Sequence, residues 1–173
     1  MRWLTFGICA VLVVTLQLTI APRMEWGGAR PDWCLVFLVF FALHARSADA
    51  LIGAWMVGAV LDLMTIGRLG LLSLSYGLAA LAVYAVRDHV YADHPLTHLF
   101  VTLAAGLMIR SAHGVYQFVL YSQTGASWSG IVARGVWAAC YSAVWAPPFH
   151  AVFLKFPRVF GIRDALGRRR GRL

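Results

Sequence analysis

Three clusters in this chain carry side chains able to do chemistry. Asp62 closes a stripe of small residues, Ala50, Ala54, Gly58 and Asp62, repeating every four positions inside an apolar run. Arg110, His113 and Gln117, spaced by three and four, form a polar stripe in a second apolar run. The segment DHVYADHPLTH, Asp88 to His98, gathers three histidines and two acids. Proton handling, metal ligation and hydrolysis are the chemistries these types offer. Of the metal pairs in the last segment, His89 with Asp93 fits one face of a helical turn. Pro95 disfavours that presentation for His94 with His98. The spacing is looser than true zinc motifs, so no metal and no cofactor is expected. Hydrolysis finds no nucleophile elbow, no HExxH and no phosphate-binding loop. Asp62 is the single acid deep in an apolar run, and one acid cannot form a two-carboxylate dyad. The chain is therefore read as non-enzymatic. Transport stays open, because a buried charge is often a substrate or proton site. Against it stand the lack of inverted repeats and of paired broken helices.

The elements that must hold these residues follow from composition. Of 173 residues, 61% are hydrophobic and 13% charged, where soluble domains carry roughly 25% charged. No soluble core could bury so much apolar surface, and the expectation is an all-α polytopic membrane protein. The net charge of +8 raises nucleic acid as a partner. Seven of the fifteen basic residues follow residue 154, however, beside the last apolar segment. That placement suits anionic membrane lipids, and no nucleic-acid partner is expected. Cys9, Cys34 and Cys140 lie far apart among apolar neighbours, as small buried thiols do.

Six apolar segments are expected, over about 3–21, 33–45, 48–66, 69–87, 96–120 and 131–154. No small-residue cleavage site follows the first, which is read as an uncleaved helix. The second is short: as a helix it rises about 20 Å, against a hydrocarbon core of about 30 Å. Counting it as a crossing sets ten basic residues on the side of Arg2, Arg46, Arg87 and the tail, against four opposite. The positive-inside rule then puts both termini in the cytoplasm. Residues 1–154 form a single six-helix domain and 155–173 a basic tail. In that tail Lys155, Arg158, Arg163, Arg168, Arg169, Arg170 and Arg172 face anionic lipid. Trp26, Trp33 and Trp128 are expected at the outer interface, and Pro147-Pro148 should kink the last helix.

Segments three and five run the same way in this topology, so Asp62 and Arg110 reach similar depth. A buried ion pair between them is expected, since an isolated charge in lipid costs about 2.5–3.5 kcal/mol. The alternatives are a snorkelling Arg110 with Asp62 protonated, or plain helix packing with Asp62 merely capping or pairing. The small-residue stripe reads as an internal contact face.

Arg30-Pro31-Asp32-Trp33, then Gly53, then Gly58-Ala59-Val60-Leu61-Asp62-Leu63, then Gly67 and Leu69-Gly70, closely resembles the MreD rod-shape-determining family. The likeness extends over the whole chain in layout and is specific over residues 30–78. It implies a fold similar to the substrate-binding subunits of energy-coupling-factor transporters, and a scaffold in the bacterial inner membrane. The implied partners are an MreC-type bitopic shape protein and, indirectly, an MreB-type actin homologue and the glycosyltransferase–transpeptidase pair of the lateral wall. Pro31, Asp32, Trp33, Ala54, Gly58, Asp62, Gly67 and Gly70 become partner or packing residues of this elongasome. The expected mechanism is a groove, left by the small-residue stripe and the short second segment, that receives a partner's transmembrane helix. The competing reading is a membrane subunit holding a small molecule or lipid intermediate near Asp62.

Overall fold

The computed structural model describes residues 3–45, 47–65, 70–90, 94–121 and 127–155. Six α-helices occur among them: α1 Trp3–Thr19, α2 Trp33–His44, α3 Ser47–Met64, α4 Leu71–Val86, α5 Pro95–Tyr121 and α6 Trp128–Lys155. They match the expected segments to within a few residues, and their ends are set by local chemistry. Pro22 follows α1 and opens a 3-10 turn over Ala21–Met24. Trp26 and Ala29 then exchange backbone hydrogen bonds of 2.9 and 3.1 Å across Gly27 and Gly28. Both glycines sit at positive φ, 59° and 75°, as a two-residue hairpin turn requires. Trp137 on α6 anchors this hairpin, its indole N–H donating to the Trp26 carbonyl at 3.0 Å.

Helix α2 is the axis of the bundle. Every residue from Trp33 to His44 is buried, and α1, α3, α4, α5 and α6 all pack on it. This explains how a 12-residue apolar helix is tolerated. Its backbone ends meet protein polar groups instead of lipid, which could satisfy none of them. Burial also corrects one sequence expectation. Trp33 is not an interfacial ring: it lies inside, against Trp145 and Phe149 of α6. Trp26 and Trp128 are exposed.

The outside of the bundle is as apolar as the inside. Leu4, Val11, Leu63, Leu74, Phe100 and Val119 are each exposed by 60% or more. A monomer in water rarely presents so much contiguous apolar surface. Helix α5, over Leu96–Val119, is long and apolar enough to cross a membrane by itself. Trp3–Thr19, Trp33–His44 and Leu71–Val86 are shorter apolar helices. Helix α6 continues through Pro147-Pro148 to Lys155.

Candidate functional site

The first polar centre forms where α2 begins. Pro31 cannot continue a preceding helix, and Asp32 supplies the N-cap that starts α2. Its Oδ1 accepts from the Leu35 amide at 3.0 Å, satisfying one of the orphan N–H groups of the first turn. The same carboxylate accepts from the Tyr76 hydroxyl of α4, with both oxygens 2.7 Å away. On its other flank stands Arg110 of α5, with Nη2 3.7 Å from Oδ2. The Asp32 amide donates to Ser142 Oγ of α6 at 2.9 Å, and Ser142 in turn donates to Ala138. Gln17 of α1 completes the ring by accepting from the Trp33 amide at 2.8 Å and donating to the Pro31 carbonyl at 3.1 Å. One helix start thus ties five of the six helices together, and only 7% of Asp32 is exposed.

The second acid behaves differently from expectation. Asp62 does not pair with Arg110. Its carboxylate accepts from three backbone amides at the start of α4: Gly70 at 2.9 Å, Leu72 at 3.0 Å and Ser73 at 2.9 Å. The cause is local. Gly70, at φ 99°, starts α4 with no side chain to cap it, so the helix opens on bare N–H groups carrying the positive end of its dipole. An acid one helix away satisfies them as well as an N-cap would. Arg110 is left to Asp32, a residue the resemblance names for partner contact or packing but not as a charge partner.

The small-residue stripe has the same fate. Ala50, Ala54, Gly58 and Asp62 are all buried. A side chain at Gly58 would put its Cβ 2.6 Å from the Ser73 Cα. The stripe is therefore occupied by the protein's own α4. The groove expected there for a partner's helix is filled, and the short α2 is enclosed. Of the other residues singled out from sequence, Lys155 is exposed at the end of α6. Gly67, Arg158, Arg163, Arg168, Arg169, Arg170 and Arg172 lie outside the described residues.

A groove of about 380 Å³ does exist, on a different pair of helices. It runs between α5 and α6, with Leu107, Val115, Ile131 and Val136 among its apolar walls and Arg110 and Ser111 in its lining. Gly114 and Gly135 line it as well, keeping the two helices close. The Arg110 side chain, 36% exposed, lines this groove as well as facing Asp32.

At the opposite end of α2 lies a cluster the spacing did not disclose. His44, the last residue of α2, meets His98 of α5 and His150 of α6, and all three are buried. His98 belongs to the Asp88–His98 segment, but it turns inward while His89 and His94 are exposed. Asp93 lies outside the described residues. His44 and His150 carry no signal in sequence, because each stands singly on its own helix.

No curated protein and no solved structure matches the chain, so the implied likeness to energy-coupling-factor subunits finds no support among known folds. The Pro31-Asp32-Trp33 corner and the Gly58/Asp62 seam, which carried the resemblance in sequence, are here the two places where helices lock together. The family model of the rod shape-determining protein MreD matches residues 1–160 of the 173, and the chain belongs to that family.

Proposed function

We propose that this chain is a non-enzymatic scaffold of the bacterial inner membrane, holding partner transmembrane helices for the cell-elongation machinery. The family brings a role in rod shape determination; the scaffold is the finer reading. The observation that carries it is a locked interior beneath an apolar exterior. Asp32 and Asp62 are both engaged by backbone amides, with Tyr76 and Arg110 added at Asp32. Carboxylates held this way stiffen the bundle, and the exposed leucines and valines leave its outer faces ready for lipid or for other helices.

In this reading the six helices of residues 1–154 cross the membrane, both termini are cytoplasmic, and the basic tail of 155–173 lies on the anionic leaflet. The groove between α5 and α6 replaces the α3 stripe as the docking face. Its occupant is the transmembrane helix of an MreC-type bitopic shape protein. Two features support that choice. The walls are apolar with glycines at their base, which lets a helix backbone come close. Arg110 offers donors that a serine, threonine or backbone carbonyl of the incoming helix can accept. Contact with the MreB-type actin homologue and with the lateral-wall glycosyltransferase–transpeptidase pair is then indirect, and the product served is lateral peptidoglycan.

A second reading is favoured by the same half-exposed guanidinium, which also suits the phosphate of an anionic lipid or lipid-linked intermediate. Photo-crosslinkers at Ser111, Val115 and Val132 in living cells separate the two, with Leu63 on α3 as a position outside the groove. The scaffold reading expects a bitopic membrane protein trapped from the groove positions and not from Leu63. Lipid adducts alone would favour the second reading. Equal labelling at all four positions would remove the groove from both.

A further inference from the structure

We infer that His44, His98 and His150 form a binding site for a borderline divalent transition metal of the zinc class, clamping α2, α5 and α6 at the end of the bundle remote from Asp32. The three histidines come from three helices and are exposed by only 6%, 2% and 3%. Each offers a ring nitrogen, and the three nitrogens lie within 4.8 Å of one another. Nitrogens around a tetrahedral zinc stand about 3.3 Å apart, given Zn–N bonds of about 2.0–2.1 Å. Binding would draw the nitrogens together and splay the His98 and His150 rings, whose centroids are 3.5 Å apart.

His44 Nδ1 lies 2.8 Å from the Phe40 carbonyl. A carbonyl only accepts, so Nδ1 carries a proton, and in the neutral ring Nε2 is the ligand atom. This is the arrangement by which metal-bound histidines are usually oriented, with a backbone carbonyl holding the other ring nitrogen. The His98 and His150 ring centroids are 3.5 Å apart, tilted by 31°. Neutral imidazole is the form that binds metal.

The donor set selects the ion. Three nitrogens, with no thiolate and no carboxylate joining them among the described residues, do not suit calcium or magnesium, which demand oxygen ligands. They do suit zinc, cobalt, nickel or copper, and zinc accepts three histidines with a fourth position open. His44 sits in the last turn of α2, at the negative end of the helix dipole, where Arg87 donates to the Ala45 carbonyl at 2.8 Å. Phe40 packs 4.6 Å from the His44 ring and 5.8 Å from that of His150, keeping the rings in an apolar wall that orders them.

The test uses the full chain, purified in detergent or nanodiscs with a tag that contains no histidine, stripped by chelator and titrated with Co2+. The expected result is one Co2+ per chain with the strong visible ligand-field absorption of a low-coordinate nitrogen site, displaced by one equivalent of Zn2+. His98→Gln or His150→Gln should weaken cobalt binding at least about 100-fold, because removing a ligand costs more than removing an outer-shell partner. His89→Gln and His94→Gln, on exposed residues, should leave it unchanged. The inference is overturned if the unsubstituted protein binds no stoichiometric cobalt. It is equally overturned if the absorption survives in His98→Gln, or is lost instead in His89→Gln or His94→Gln. A variant that fails to fold does not rescue it, since the titration of the unsubstituted chain decides by itself.

Discussion

Helix α2 is buried along its whole length, yet its two ends handle polar groups in opposite ways. At the Asp32 end, unlike groups meet: a carboxylate, a phenol, a guanidinium, a serine and a glutamine close on each other and on the backbone. The His44 end gathers three groups of one kind, all able to donate a lone pair to the same point. A mixed set can satisfy itself, whereas three ring nitrogens gathered together are the donor set of a transition metal. The first is a structural lock, and the second a place where the bundle can be set by an outside ion.

The contrast is broken most directly at the lock. Asp32→Ala should destabilise the protein by about 3 kcal/mol, because it removes the α2 cap and leaves the buried Tyr76 hydroxyl without its acceptor. Thermal unfolding in detergent and membrane yield would both register it. Arg110→Leu should recover part of the loss in the double variant, while Arg110→Leu with Asp62→Asn should be additive to within about 0.5 kcal/mol. Coupling between Asp62 and Arg110 instead would restore the pair first expected from sequence.

The other end sharpens the comparison from the opposite direction. Zinc at about one hundred times its dissociation constant should stabilise the unsubstituted chain by about 2.7 kcal/mol, read as a rise in unfolding temperature. The same addition should do nothing for His150→Gln. Gly58→Val comes next, at about 2 kcal/mol, since its Cβ would meet the backbone of α4 and force α3 and α4 apart. Faster amide hydrogen exchange over Leu71–Ser75 at the start of α4 would report that separation. Asp62→Asn is the mildest change, about 1.5 kcal/mol, because the one amide oxygen can still accept from Gly70 and Ser73 while the charge is lost and the amide NH2 no longer accepts from Leu72. An Asn effect as large as that of Asp32→Ala would show that Asp62 holds a charge partner and not a helix start.

Much of the frame was legible beforehand for a local reason. Apolar runs, Pro22, the Gly27-Gly28 pair and Gly70 determine where helices start and stop, since each acts through its own backbone or its nearest neighbours. The Ala50/Ala54/Gly58/Asp62 periodicity also identified a contact face correctly, because side chains four apart share one side of a helix. It could not say what covers that face. A helix pattern carries direction around its own axis and nothing about the element opposite, so α4 was mistaken for a foreign helix.

The same boundary separates the chemistry. By itself, the sequence determined the family, the helical frame, the shortness of α2 and the presence of an acid and an arginine that must find partners. Only the tertiary structure decided that the acid meeting Arg110 is Asp32, and that Asp62 caps α4. It alone brought His44, His98 and His150 together from three separate helices. Capping and amphipathicity are written within a few residues, whereas a pairing across a bundle depends on how helices rotate and slide until every buried polar group is matched.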